Sequence, residues 1–243
     1  PLFMSTPYYD HAGIVIYNCD CWDILPSLKA DAVVTDPPYG IAHPCDFKAR
    51  GRGVTCGTRP DTGRPVWANP TARDYPDVYG DDVGFEPRRW ANWPCVLWGA
   101  NHYADKLPSS GGWLVWDKMR PDDLDQSTCE LAWSNYIKGV RRFAYLWNGM
   151  MRAGHENLVH PTQKPVALMR WVLSFRWTPP GTILDPFMGS GTTLVAAKQL
   201  GRKAIGVEIE ERYCEIAAKR LQQEVLPLEP VEPALRQGDV LDY

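Results

Sequence analysis

A doubly wound α/β fold on a mostly parallel sheet is what the sequence predicts, and three observations carry that prediction. Apolar runs at residues 32–35, 182–185 and 203–208 have the length and β-branched content of strands buried on both faces, as parallel strands are. Helical patterns alternate with such runs along the chain, which is the βαβ signature. At 243 residues, 44% of them hydrophobic, the chain suits one domain with a buried core.

The elements follow in order. A short helix is expected after Asp20 in IVIYNCDCWDIL, then the strand at 32–35, then further strands at 95–98 and 113–116. Leu168, Trp171, Val172 and Phe175 recur at helical spacing on one face of a helix whose first turn holds Pro165. The strand TILD at 182–185 leads through a glycine loop into a helix from Thr192 to Leu200 that stops at Gly201. After the strand ending at Glu208, a last helix opens at Glu210 and Glu211 and buries Tyr213, Ile216 and Ala217. It carries Lys219 and Arg220 near its end, where the helix dipole favours cations. No internal repeat or low-complexity tract interrupts this order.

Several function classes fall away on composition. No apolar run reaches the ~18 residues of a membrane span, and no secretory leader pattern is present, so a soluble intracellular protein is expected. Seven cysteines without a CxxC pair read as reduced thiols. A net charge of −3 argues against a uniformly basic nucleic-acid binder, yet residues 46–74 hold six basic side chains against three acidic ones. That segment is rich in Gly and Pro and reads as a cationic loop, either merely solvated or following a nucleic-acid backbone. The chain is therefore expected to be a single domain over residues 1–243, with the cationic insertion at about 41–94.

Two motifs carry the chemistry. The run DAVVTDPPYG ends a buried strand in a carboxylate, two prolines, an aromatic ring and a glycine. In TILDPFMGSGTT, Gly189 and Gly191 let the backbone turn tightly and approach a ligand, while the helix behind them offers free N–H groups. The loop lacks the lysine of GxxxxGK[ST], which argues against an ATP or GTP site. Glu208 stands 19 positions after Gly189, about where a Rossmann-type fold places the acid that grips ribose hydroxyls. Loop and acid together point to a nucleoside-containing cofactor.

With both motifs in hand, the chain resembles the S-adenosylmethionine-dependent amino-methyltransferases of DNA. DPPY at residues 36–39 looks like their catalytic motif and DPFMGSGTT at 185–193 like their cofactor motif. HPTQKP at 160–165 looks like the segment preceding the cofactor motif in the permuted β-type subgroup. WGANHY at 98–103 and RFAYLWNGM at 142–150 are similar to phage-type members. The resemblance implies a Rossmann-like methyltransferase fold with circularly permuted motif order. It implies methylation of the exocyclic N6 amine of adenine in DNA, with cytosine N4 as the alternative, since Ser is the usual first residue of the cytosine enzymes' motif and this chain has Asp36. RNA or protein methylation, and a binding module that has lost activity, are the remaining alternatives.

The chemistry explains why such residues stand together. An exocyclic amine is a poor nucleophile because its lone pair is delocalised into the ring. Asp36 and the Pro37 carbonyl could accept its two N–H groups and favour the pyramidal geometry needed for attack, with Pro37 and Pro38 fixing the backbone. Tyr39 offers a ring on which the base can stack, which requires the base to leave the duplex. Positioning carries most of the catalysis and no metal is required.

By resemblance, Asp36, Asp185, Pro186, Phe187, Gly189, Ser190, Gly191 and Thr192 line the cofactor site. Glu208 holds the ribose, and Thr162 and Lys164 lie near the methionine end. Asp20 is favoured for the cofactor's adenine over Asp239, because a short helix and the DPPY strand follow it directly. Lys48, Arg50, Arg52, Arg59 and Arg64 are the candidates for DNA contact. A short target-recognition segment is expected at about 117–156. DNA, a homodimer, no membrane, and the cytoplasm of a bacterium or phage-infected host complete the expected setting, within a restriction-modification context. His43, Cys45 and Cys56 lack a fourth ligand and normal spacing for zinc. The tryptophans read as core and anchor residues, with Trp67 a candidate exception, and His102 and His160 as structural histidines.

Overall fold

The computed structural model describes residues 6–42, 57–58, 65–66, 77–120, 127–148, 151–153, 156–160 and 162–223. Lys48, Arg50, Arg52, Arg59, Arg64, His43, Cys45, Cys56, Trp67 and Asp239 lie outside these residues.

Strands β1 (Tyr9–His11), β2 (Ile14–Asn18) and β3 (Ala32–Thr35) open the chain, with the one-turn helix α1 (Cys21–Ile24) before β3. Then come β4 (Gly57–Thr58), β5 (Pro65–Val66), β6 (Cys95–Trp98), β7 (Gly112–Asp117), β8 (Cys129–Ser134) and β9 (Val140–Ala144). The hairpin β10 (Trp147–Asn148) and β11 (Met151–Arg152) precedes α2 (Val166–Leu173). The chain then runs through β12 (Ile183–Asp185), α3 (Thr192–Gln199), β13 (Ala204–Glu208) and α4 (Glu211–Gln222).

Among the described residues, nine strands form one sheet in the order β1-β2-β13-β12-β3-β6-β8-β7-β9. The run from β2 to β6 is parallel throughout. β1 and β8 pair antiparallel with their neighbours, while β9 lies parallel to β7. The five strands read from the sequence are therefore present. In the main sheet β1, β2, β8 and β9 are additional: β9, with Val140, Arg141 and Arg142 exposed, carries too little apolar signal to stand out as a strand.

Alternation along the central strands divides the core between the two faces of the sheet. Ala32 and Val34 join Ile14, Ile16, Val96 and Ile183 beneath Leu168, Val172, Leu194, Ala197, Ala217 and Leu221 of α2, α3 and α4. Val33 turns the other way, towards Ile24 of α1 and Phe85, Trp90 and Tyr103 of the segment around β6. One face thus carries the three longer helices, and the other is covered by one-turn pieces.

The second expected helix starts slightly later than its pattern suggests. Pro165 sits at the N-cap with φ −66° and ψ 143°, and Phe175 lies beyond the C-cap Ser174. Having no N–H, Pro165 leaves the Val166 N–H as the first open donor, and it is met from outside the helix by Glu156, at 2.9 Å to Oε1.

The position of the site follows from topology. From β3 the chain moves to β6 on one side; from β12 it moves to β13 on the other. The carboxyl ends of β3 and β12 are therefore the switch point at which open α/β sheets bind ligands. Both sequence motifs begin at those two ends. Of the expected target-recognition segment, residues 129–144 form β8 and β9 of the main sheet.

Candidate active site

The residues after β3 fold back because of one acid that the motif does not contain. Asp81, only 6% exposed, accepts the Tyr39 and Gly40 N–H groups with Oδ1 at 2.8 and 3.0 Å. Its carbonyl accepts Ala42 N–H at 2.6 Å. Gly40 has φ +77°, and a Cβ there would lie 2.7 Å from Gly84 Cα, so only glycine fits this turn. Gly99 performs a second service: a Cβ on it would fall 2.0 Å from the Tyr39 ring. Tyr39 therefore lies over the backbone that ends β6, and its ring stacks on His102 at 4.9 Å between centroids and 15° between planes.

Asp36 sits in a chain of alternating charges. Tyr39 OH donates to Asp36 Oδ1 at 2.5 Å, and Lys164 Nζ pairs with Asp36 Oδ2. The same ammonium donates to Tyr39 OH at 3.0 Å and lies 3.1 Å from Glu130 Oε2. Lys118 Nζ holds the other Glu130 oxygen at 2.5 Å. Burial pushes the Asp36 carboxyl up despite its lysine. Glu130, although burial also favours its neutral form, is pulled down to about 2 by Lys164 and Lys118. Burial alone would lower the Lys164 pKa, but the two carboxylates outweigh it and raise it, so this buried amine stays an ammonium.

The glycine loop is tied to its neighbours on three sides. Thr35 Oγ1 donates to Asp185 Oδ1 at 2.7 Å, joining the ends of β3 and β12 directly. Burial raises the Asp185 carboxyl to about 6. Glu208 Oε2 accepts Gly189 N–H at 3.0 Å, and its Oε1 accepts Glu210 N–H at 2.9 Å. Burial pushes the Glu208 carboxyl up to about 7. From behind, Arg220 Nη1 donates to Ser190 O and Oγ at 2.7 and 3.0 Å and to Thr192 Oγ1 at 3.2 Å. The helix-dipole reading of Arg220 thus omits its contact with the loop about 30 residues earlier.

Thr35→Val keeps shape but removes one of the buried partners of Asp185. We expect a loss of about 1–3 kcal/mol in urea denaturation, the cost of leaving a buried acceptor short of a donor.

The sequence-derived candidates form a row along the carboxyl edge of the sheet. Asp36 follows β3, Asp185 ends β12 with Pro186 just after it, Glu208 ends β13 and Asp20 follows β2, whose Asn18 is paired in register with Glu208. Asp20 Oδ1 caps α1 by accepting Trp22 N–H at 3.0 Å. Phe187 packs edge-on against Trp90 and Phe85. Thr162 is exposed, while Lys164 is brought against Asp36. His160 accepts Thr162 N–H on Nδ1 at 3.3 Å and packs on Tyr213. Burial and the nearby Arg212 and Lys164 lower its pKa to about 4, so it is neutral at physiological pH. Asp81, Gly99, Glu130 and Arg220 are the site residues that sequence reasoning missed.

Similarity to known proteins places the chain in a family. The family model described as DNA methylase, of the N6 and N4 type, matches residues 113–219. The type II methyltransferase M2.DpnII of Streptococcus pneumoniae is 44% identical over 258 residues, covering 92% of this chain and 95% of its own. The chain belongs to the S-adenosylmethionine-dependent DNA amino-methyltransferases. Type II methyltransferase M.ScaI of Streptomyces caespitosus is 28% identical, covering 93% of this chain and 86% of its own. The methyltransferase also shares its fold with the PvuII cytosine-N4-specific DNA methyltransferase, with TM-score 0.55 and 14% identity, covering 92% of both chains. Among the described residues, no helix is long and apolar enough to cross a membrane.

The edge of the sheet suits the cofactor of this family, S-adenosylmethionine. Each Glu208 oxygen accepts one backbone N–H, and because a carboxylate oxygen has about two acceptor sites, each retains one for a hydroxyl. Gly189 turns with φ +49° beside that carboxylate, presenting backbone to a ligand.

Proposed function

We propose that this methyltransferase modifies the exocyclic N6 amine of adenine in DNA, with the permuted β-type, phage-type enzymes as its kin. The observation that carries the reading is the partly accessible Asp36 at the switch point, 19% exposed, paired with Lys164 and bonded to the aromatic Tyr39. A carboxylate has about four acceptor sites, of which Tyr39 and Lys164 use two. The others receive an N–H of the target amine and hold its lone pair out of the ring plane. After transfer, Asp36 is placed to take the proton that the nitrogen sheds and pass it to solvent. Tyr39 and the Pro37 carbonyl complete the pocket for a base swung out of the duplex.

When bound, S-adenosylmethionine supplies a methyl group on a sulfonium, which needs alignment rather than acid catalysis. Glu208 would hold the ribose hydroxyls, Asp20 the adenine, and residues 185–192 with Thr162 and Lys164 the remaining length. Lys48, Arg50, Arg52, Arg59 and Arg64 would neutralise DNA phosphates, part of residues 117–156 would read the target, and the enzyme would act in the cytoplasm, as a homodimer. Cytosine N4 methylation is the second reading, because the same acceptors suit either amine and the PvuII enzyme shares the fold. Offering labelled cofactor with DNA, RNA and protein in parallel tests the reading: label must enter DNA.

Cofactor binding should depend on pH through Glu208. Its carboxyl is neutral below about pH 7 in the free protein, whereas ribose hydroxyls donate best to the ionised form. Affinity should thus rise with pH and level off above 7, falling by up to about tenfold per unit below it. Calorimetry from pH 5.5 to 8 checks this, and Glu208→Gln should remove the Glu208 part of the dependence. Asp185, raised to about 6, titrates in the same range, and the Gln variant separates its share.

A further inference from the structure

The structure assigns Glu130 of β8 as a positioning residue for methyl transfer, one that keeps Lys164 from being spent wholly on Asp36. The inference rests on Asp36 acting on the target amine.

Four observations carry it. Lys164, 4% exposed, is shared between two carboxylates, touching Asp36 Oδ2 and lying 3.1 Å from Glu130 Oε2. Glu130 is itself held from behind by Lys118 at 2.5 Å, so it cannot swing away from the lysine. The ammonium lies 5.7 Å from the Tyr39 ring centroid and 5.8 Å from that of Trp98, a surround that excludes water and strengthens each charge contact. Glu130 stands opposite Trp116 in the β7–β8 ladder, and Lys118 is two residues further along β7's exit, so the backbone register sets both ends of the chain of charges.

The consequence for chemistry follows from acceptor strength. A carboxylate paired with an ammonium of its own is a weak acceptor for an amine N–H. With a second carboxylate drawing on the same ammonium, Asp36 keeps more negative charge for the target amine, whose nitrogen gains positive charge as it is methylated. Glu130 does not touch the substrate; it acts through Lys164. The groups around Asp36 are Lys164, Glu130, its own loop's Tyr39, Tyr103 after β6 and Asp185 of β12. Of these, Glu130 and Asp185 are the anions that disfavour its ionisation, and Lys164 is the cation that favours it.

Glu130→Gln retains shape and removes the charge. We expect kcat to fall 10- to 100-fold, with the cofactor Kd and the KM for DNA within about threefold of the parent. The acid limb of the kcat profile should move to lower pH, because Asp36 loses a neighbouring anion and gains the whole of its lysine. A general loss of packing would not move that limb downward. Glu130→Asp should recover part of kcat, and thermal melting of both variants establishes that they fold. If Glu130→Gln keeps the parental kcat, or if its acid limb stays in place, the inference is overturned. Asp36→Asn measured alongside separates the two ideas: an inactive Asp36→Asn with a fully active Glu130→Gln sinks only the role of Glu130, whereas an active Asp36→Asn sinks the role of Asp36.

Discussion

Asp36→Ala is expected to lower methyl transfer by at least about 10²–10³-fold, the scale of losing a preorganised partner at the reacting atom, with cofactor affinity within a few-fold of the parent. The fold should survive, since Lys164 retains Glu130 and Tyr39 retains its stacking on His102 and its backbone bond to Asp81. Calorimetry with cofactor and a single-turnover assay with DNA separate the two effects. A variant that loses cofactor affinity as steeply as it loses activity would show that Asp36 had been given the wrong partner.

Gly191→Val should act in the opposite order, on binding first. Gly191 has φ +78°, a region that a β-branched residue enters at a cost of about 1–3 kcal/mol. A Cβ there would also lie 2.7 Å from Ala217 Cβ, so the side chain drives α3 from α4. The loop that carries Gly189 would move with it. Cofactor affinity should fall at least tenfold and the urea midpoint should drop. Circular dichroism showing a native-like spectrum with parental affinity would contradict the assigned role of this loop.

Those two variants probe the parts of the molecule that are legible in the amino-acid sequence. The DPPY and DPFMGSGTT strands announce themselves through β-branched runs closed by turn residues, and their order with HPTQKP points to the family. That they are neighbours in the sheet, joined by the Thr35 to Asp185 hydrogen bond, follows from doubly wound topology but from no local pattern. The edge strand β9 is illegible for a physical reason: an exposed edge with consecutive arginines has neither the alternation of a half-buried strand nor the apolar run of a buried one.

The missed site residues share a different cause. Asp81 looks like a loop acid in YGDDVG, Glu130 like a surface charge in CELAWS, and Arg220 like a dipole-matched cation. Each is defined by a partner at least 28 positions away, and spacing along the chain does not encode such pairs. Gly99 is the nearest to an exception. It lies in a segment already singled out by resemblance, yet its need for space arises from the ring of Tyr39.

The central claim, that Asp36 and Tyr39 present the amine of adenine to the cofactor, is tested most directly by the chemical identity of the product. Duplex DNA incubated with enzyme and S-adenosylmethionine would be digested to nucleosides and separated by chromatography with mass detection. The account predicts N6-methyladenosine in its deoxy form, absent from the Asp36→Ala reaction. N4-methyldeoxycytidine as the product would contradict it.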